Sequence, residues 1–286
     1  MPVTRPSLAP YHPEPVQRLV ADAAQRWPRK TAIIDGELAV TFAELDAYAD
    51  RFAVALAGLG VAKGDFVGIL APNCVEFEIA FFGILKAGAT VTTINSSYRE
   101  REIAAQLNAS GAPILVAHHT LMEMTNAAAG DAPALQRTIV IDNTADDPAS
   151  FWGLIDTATG VPPELTVDPL HDLAALPFSS GTTGLNKGVM LTHANLHANV
   201  RQIADRDEDN AVCHDDVVLV HLPLFHIYGM TVLMQQAIYS GATQVIMGRF
   251  DMAEFLRLVQ EHRVTALYSA PPVGVGLSQS PLVDLR

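Results

Sequence analysis

Residues 176–193 read Leu176-Pro-Phe-Ser-Ser-Gly-Thr-Thr-Gly-Leu-Asn-Lys-Gly-Val-Met-Leu-Thr-His193. An apolar run, Leu173 to Phe178, leads into a loop with four hydroxyls, two glycines and one lysine before Gly188. Gly181 and Gly184 let the backbone come close to a ligand and turn its N–H groups inward. Ser179, Ser180, Thr182 and Thr183 add short donors, and Lys187 adds a mobile positive charge. That set suits a polyphosphate, which needs several donors and local neutralisation of charge. The loop is not a Walker A sequence, because Gly188 rather than Ser or Thr follows Lys187. Val189-Met190-Leu191 reads as extended, so a helix dipole is not the main source of anion stabilisation. By composition alone the stretch also fits a plain Ser/Thr/Gly surface turn between two strands. The order of its residues is what favours the phosphate loop.

Around this loop the chain alternates strand and helix. Val16, Leu19, Val20, Ala23 and Trp27 share a stripe that predicts a helix from about Pro15 to Trp27. Ala32-Ile33-Ile34 and Leu38-Ala39-Val40 flank Asp35-Gly36, a hairpin turn signal. Thr41 with Glu44 predicts a capping box on a helix that ends near Gly60. Phe66 to Leu70, Thr90 to Ile94, Ile114 to Ala117 and Thr138 to Ile141 are short apolar strands separated by helices. Asn73 is read as the cap of the helix that Gly88 stops, and Arg99 to Leu107 as the next helix. Continuous apolar strands in this rhythm predict a parallel sheet buried on both faces, an α/β fold. Residues 143–172 read as a polar connection with one helical turn near Phe151 to Ile155. The rhythm then resumes: strand Val217 to His221, helix Met230 to Tyr239, strand Gln244 to Met247. Asp251 caps a helix to about Glu261, and Val264 to Tyr268 is a further strand. From Pro271 onward no terminal element is predicted, and the chain reads as truncated.

The 286 residues are 49% hydrophobic and 17% charged, enough apolar matter for a sizeable core. Eighteen Lys and Arg against 31 Asp and Glu give a net charge of −13, with no basic block, so nucleic acid is not an expected partner. Cys74 and Cys213 stand far apart, which argues against a disulfide scaffold or a cysteine-based zinc site. The greasiest stretches are broken by Lys86 and by His221, Pro223 and His226, so no integral membrane segment is expected. The first residues carry no secretory signal. A cytoplasmic setting follows from these readings.

The loop closely resembles the phosphate-loop signature of the adenylate-forming (AMP-binding) superfamily, which includes acyl-CoA synthetases, 4-coumarate–CoA ligases, luciferases and nonribosomal-peptide adenylation domains. Gly60 to Asp65, Asn73 to Phe77, Phe81 to Asn95 and Tyr98 resemble its N-terminal region in the same order. His221-Leu-Pro-Leu-Phe-His-Ile-Tyr-Gly229 resembles its acid-pocket motif. Two departures stand out: Asn186, where the family usually has proline or a small apolar residue, and Ser96-Ser97, where proline often follows the asparagine.

The resemblance implies a truncated large N-terminal domain of acyl-CoA synthetase type, built of two side-by-side α/β subdomains. One would span about 54–201, the other about 8–53 plus 217–286. It implies an ATP-dependent acid–CoA ligase of fatty- or aryl-acid type, which converts a carboxylate and ATP into an acyl-adenylate and pyrophosphate. Coenzyme A thiolate would then displace AMP and leave a thioester. By the same resemblance Ser179, Ser180, Gly181, Thr182, Thr183, Gly184 and Lys187 bind the nucleotide. Lys187, Thr183 and His226 take catalytic positions, and His226, Tyr228 and Gly229 belong to the acid pocket. Mg²⁺ is expected with ATP, and its usual acidic ligand is not in this sequence.

Other readings stay beside this one. His226 and Tyr228 also fit a core histidine and a core aromatic, and Phe225 reads better as core. His193 and His197 share a helical face at i, i+4, but no glutamate lies between them and no third ligand is near, so no metal site is expected. His118-His119 reads as a strand end. The acid-pocket stretch lacks the aspartate of amino-acid adenylation domains, which favours an uncharged tail. A fatty acyl-AMP ligase that loads a carrier protein is an alternative. So is a non-catalytic nucleotide-binding fragment, because the family's adenine, ribose and C-terminal lysine motifs are missing. The expectation is therefore a ligase as parent protein and an inactive chain on its own.

Overall fold

The structure, a computed structural model, describes residues 9–141, 147–180, 186–204 and 212–283. It begins with α1 (Arg18–Arg26), which buries Leu19, Val20 and Ala23 on one side. β1 (Thr31–Asp35) and β2 (Leu38–Thr41) then form an antiparallel hairpin. Gly36 takes the turn at φ +59°, a conformation that glycine adopts without strain. Thr41 starts α2 (Phe42–Gly58) with the expected reciprocal cap: its hydroxyl accepts the Glu44 N–H at 3.2 Å, and the Glu44 carboxylate accepts the Thr41 N–H at 2.8 Å.

Next come β3 (Phe66–Leu70), α3 (Val75–Lys86), β4 (Thr90–Thr93), α4 (Glu100–Ser110), β5 (Ile114–His118), α5 (Met122–Ala129) and β6 (Arg137–Ile141). After α6 (Phe151–Thr157) follow β7 (Leu173–Ala175), β8 (Phe178–Ser180), β9 (Asn186–Gly188), β10 (Leu191–Thr192) and α7 (His193–Ala204). The last part holds β11 (Val217–Val220), a π-wound segment Gly229–Gln235 that continues into α8 (Gln236–Ser240), β12 (Thr243–Ile246), α9 (Met252–Glu261) and α10 (Pro271–Gln279).

Two sheets and one small hairpin result. The larger sheet has the order β10-β7-β4-β3-β5-β6, parallel except for the β10 edge. The second has the order β11-β12-β1-β2, so strands from the two ends of the chain share it. β1 lies parallel to β12, with Ile33 opposite Gln244. α3 is buried on every side from Val75 to Leu85, as a helix between two sheets must be. Its core cluster takes in Val67 and Ile69 of β3 together with Val218 and Val220 of β11. α4 packs on the opposite face of the larger sheet, where Ile103 and Leu107 meet Leu115 and Ala117. No described helix is long and apolar enough to cross a membrane.

This arrangement places the site. The connection from β3 leaves through α3 towards one face, while that from the adjacent β4 leaves through α4 towards the other. Crevices at such a divergence, beyond the carboxyl ends of parallel strands, are where open α/β sheets bind ligands.

Several local expectations change. Asn73 does not cap α3: Cys74 holds the N-cap position without a side-chain bond, and the Asn73 amide is engaged with the second sheet. The run Leu173 to Phe178 is not one strand. Pro177 cannot donate to a ladder, and the chain changes partner there, from β4 and β10 to β9. The segment Val264 to Tyr268 keeps only one bridge, between Ala266 and Val218. Pro271 onward is not featureless, since two prolines in the first turn open α10.

Candidate functional site

The sequence read as phosphate-binding is flanked by the two strands of a small ladder. β8 and β9 pair antiparallel with Phe178 opposite Gly188, Ser179 opposite Lys187 and Ser180 opposite Asn186. Ser179 and Lys187 are thus cross-strand neighbours, both exposed. Among the described residues the Lys187 ammonium has no ion-pair partner. Gly181, Thr182, Thr183 and Gly184 lie outside the described residues. The base of the hairpin is bonded to the larger sheet and to itself. Leu176 N–H donates to Val91 O at 2.8 Å, and Val189 N–H donates to Pro177 O at 2.8 Å.

A cavity of about 570 Å³ opens beside this hairpin. Ser179, Asn186 and Val189 form one wall, Thr93 and Tyr98 a second, and His226 a third. Tyr98 Oη accepts a hydrogen bond from Asn186 Nδ2 at 2.8 Å. The departure at Asn186 therefore gains a partner that proline or a small apolar residue would not have. Burial, with the Glu102 carboxylate next, raises the Tyr98 phenol above its usual value, so it stays neutral.

His226 sits on the segment that follows β11, and it is exposed to this cavity. Its N–H donates to Pro223 O at 3.1 Å, and its Nδ1 accepts the Tyr228 N–H at 3.2 Å. An accepting Nδ1 leaves Nε2 as the ring nitrogen free of the backbone. Tyr228, half-buried, and Gly229, buried, are not among the residues that line the cavity. Gly229 is set by the backbone: a Cβ there would stand 2.1 Å from Pro223 O. We expect Gly229→Ala to destabilise the fold by about 2–3 kcal/mol, read as a lower midpoint in chemical denaturation. An unchanged midpoint would show that the turn can open to admit a methyl group. The π-wound segment begins at this same glycine, and such windings recur beside functional sites.

A second cavity of about 260 Å³ lies on the other side of the segment, between Asn73, His221, Phe225 and Arg249. His221 is buried there. Its Nδ1–H donates to Leu219 O at 3.1 Å, so its Nε2 accepts from the Ser269 hydroxyl at 2.9 Å. Burial holds this imidazole below its ordinary value, neutral at pH 7. His193 is likewise engaged, accepting the Val16 N–H at 3.0 Å. Among the described residues no three His, Cys, Asp or Glu side chains gather as metal ligands would.

Sequence reasoning missed two contributors. Asn73 and Thr93, at the carboxyl ends of β3 and β4, bond directly to the segment that carries His226. The available signal was weak: a lone amide set among Ala71, Pro72 and Val75, and a threonine at a strand end.

The fold is an open α/β architecture in which the Ser179–Lys187 hairpin faces a histidine-bearing wall. The family profile for AMP-binding enzyme matches residues 20–284, and the chain belongs to that family. It is 37% identical over 282 residues to 4-coumarate–CoA ligase 5 of Oryza sativa subsp. japonica, covering 98% of this chain and 50% of that protein. With the 4-coumarate–CoA ligase of Pinus taeda it shares 38% over 269 residues, covering 93% and 49%. The chain thus spans about half the length of the curated relatives it matches. Among solved structures, the inhibitor-bound N-terminal domain of FACL13 from Mycobacterium tuberculosis superposes with a TM-score of 0.85. It is 27% identical, over 94% of this chain and 66% of that one. A long-chain-fatty-acid–CoA ligase, FadD1 from Archaeoglobus fulgidus, gives 0.85 at 28% identity, covering 96% and 56%.

Proposed function

We propose that the chain is the phosphate-loop half of an ATP-dependent acid–CoA ligase, in which a substrate carboxylate attacks the α-phosphorus of ATP. Pyrophosphate leaves, and the thiolate of coenzyme A then displaces AMP from the acyl-adenylate to give the thioester. The observation that carries this reading is the meeting of the Ser179–Lys187 hairpin and His226 on one cavity. Thr182, Thr183, Gly184 and Lys187 would hold the β- and γ-phosphates, neutralising the leaving group and fixing an in-line approach, with Ser179, Ser180 and Gly181 as the rest of the nucleotide loop. Thr183 and Lys187 would act on the charge that develops there. His226 would hydrogen-bond the acid through its free Nε2, and Tyr228, with Gly229 shaping the turn, would belong to the acid pocket. Mg²⁺ would arrive with the ATP phosphates.

Within this reading the two sheets support two subdomains, residues 54–201 and residues 8–53 plus 217–286. The motif Leu224 to Tyr228 has no acid, which favours an uncharged tail. The similarity to proteins named as 4-coumarate–CoA ligases is the reason to include aryl acids beside fatty acids on the substrate panel. The unpaired thiols, Cys74 buried and Cys213 exposed, suit the cytoplasm.

The test is ATP–pyrophosphate exchange by the purified chain with short fatty, long fatty and cinnamate-type acids, alongside calorimetric ATP binding. Binding without exchange is expected, because half a site does not hold the reacting centre. Exchange with one acid would name the substrate and show that this chain turns over by itself. A folded chain that binds no ATP would overturn the nucleotide reading.

A further inference from the structure

The segment 221–226 lies between the two sheets and belongs to no helix or strand, yet it presents His226 at a defined place. The side chains that hold it come from the larger sheet. Asn73 follows β3 and is buried, with 6% exposure. Its Nδ2 lies 3.2 Å from Val220 O, 3.0 Å from Leu222 O and 3.2 Å from Met247 O, and its Oδ1 accepts the Leu224 N–H at 2.8 Å. One amide thus joins the ends of β11 and β12 to the segment beyond β11. Thr93, the last residue of β4, donates its hydroxyl to Phe225 O at 2.8 Å. Both side chains stand where the connections of β3 and β4 diverge.

We propose that Asn73 and Thr93 are positioning residues that fix the backbone of 222–225 and so aim His226 at the Ser179 hairpin. The proposal rests on the ligase reading only for what His226 does once aimed. A free segment would sample many orientations, and a histidine has to stand within about 3 Å of its target to act on it. An amide is the side chain suited to the Asn73 position, since it offers donors to carbonyls and an acceptor to an N–H at once. A carboxylate could not donate, and an alkyl group would leave buried carbonyls and one N–H without partners. Gly229, closed against Pro223 O, completes the turn from its far side.

The experiment compares Thr93→Val, Thr93→Ser and Asn73→Ala with the unaltered chain. Hydrogen exchange is followed at the Leu224 and His226 amides, with β3 and β5 as internal references. We expect about tenfold faster exchange at both amides in Thr93→Val, the effect of one hydrogen bond. The conservative Thr93→Ser should restore the original rate, and Asn73→Ala should exceed Thr93→Val. The references should not move. A second readout is the ¹⁵N resonance of the His226 imidazole, whose accepting Nδ1 signature should average out in Thr93→Val and return in Thr93→Ser. Unchanged exchange in the segment, or equal acceleration in β3 and β5, would overturn the proposal and leave these residues as ordinary stabilisers. If Asn73→Ala does not fold, the threonine pair decides alone. None of these readouts needs ATP or an acid, so the proposal and the ligase reading can fail separately.

Discussion

Lys187→Ala should weaken ATP binding by about 10- to 100-fold, the range of a hydrogen bond to a charged group lost from a polyphosphate site, and leave thermal stability almost untouched. The asymmetry follows from where the lysine sits. It lies on an exposed two-stranded ladder opposite Ser179, and no described residue pairs with its charge. Removing such a side chain removes little packing, and surface changes of this kind stay within about 0.5 kcal/mol. An ammonium beside three or more phosphate charges has much more to lose, since each of those charges attracts it. Calorimetric titration with MgATP, alongside a melting curve, separates the two quantities. Parallel losses of binding and melting temperature would identify Lys187 as structural and remove the main cation from the proposed site.

Glu78→Gln should flatten a pH dependence of stability that the unaltered chain shows between about pH 5 and 8. Glu78 is fully buried on α3, and its Oε2 accepts from Gln244 Nε2 of β12 at 3.0 Å. Glu78 Oε1 and Gln244 Oε1 are both buried without a partner. A proton on the carboxyl removes a buried charge and adds a donor to a pair that has two unmatched oxygens. Burial, with the nearby Asp35 carboxylate acting in the same sense against the Gln244 bond, pushes this carboxyl up to about 8. The unfolded carboxyl loses its proton near pH 4.5, the folded one only near 8. Between those values the folded state binds the extra proton, so stability falls as pH rises. A displacement of that size has a ceiling of about 5 kcal/mol.

Three buried histidines act in the opposite sense at lower pH. His193 is pushed down to about 4, and His197 and His221 are also lowered, each chiefly by burial. Their contributions grow as pH rises towards 6.5 and cancel when the two proteins are compared at each pH. Relative to Glu78→Gln, the unaltered chain should lose about 5 °C or more in melting temperature from pH 5 to pH 8. Parallel curves would mean that Glu78 is ionised in the fold, with a counter-charge or water beside it.

Much of this structure was readable because the signals were local. The Thr41 and Asp251 caps needed only residues three positions apart, and both formed. The strands β3 and β5 are runs of mostly buried apolar residues and β6 buries Ile139 and Ile141, so composition alone marked all three within a residue or two. The hairpin at Gly36 announced itself by its turn residue. The order of residues from Ser179 to Gly188 carried the resemblance, and the family match over residues 20–284 agrees with it.

Other features were set by neighbours far away in the chain. Asn73 reads as a helix cap because an asparagine before a helix usually is one. Three carbonyls and an N–H converge on it only after β11 and β12 are in place. Val264 to Tyr268 has a strand's composition but retains one bridge, since composition cannot supply a partner. Asn186 departs from the family's loop pattern, and its partner, the Tyr98 hydroxyl at 2.8 Å, lies 88 residues away in the chain. The sequence by itself determined the α/β rhythm, the helix starts, the donor-rich loop and the family, because these depend on short-range periodicity and residue order. Only the tertiary structure decided that β1 pairs with β12, that Glu78 faces Gln244, and that the ends of β3 and β4 grip the His226 segment. Those contacts join residues far apart in the chain, so no short-range periodicity or residue order specifies which of them meet.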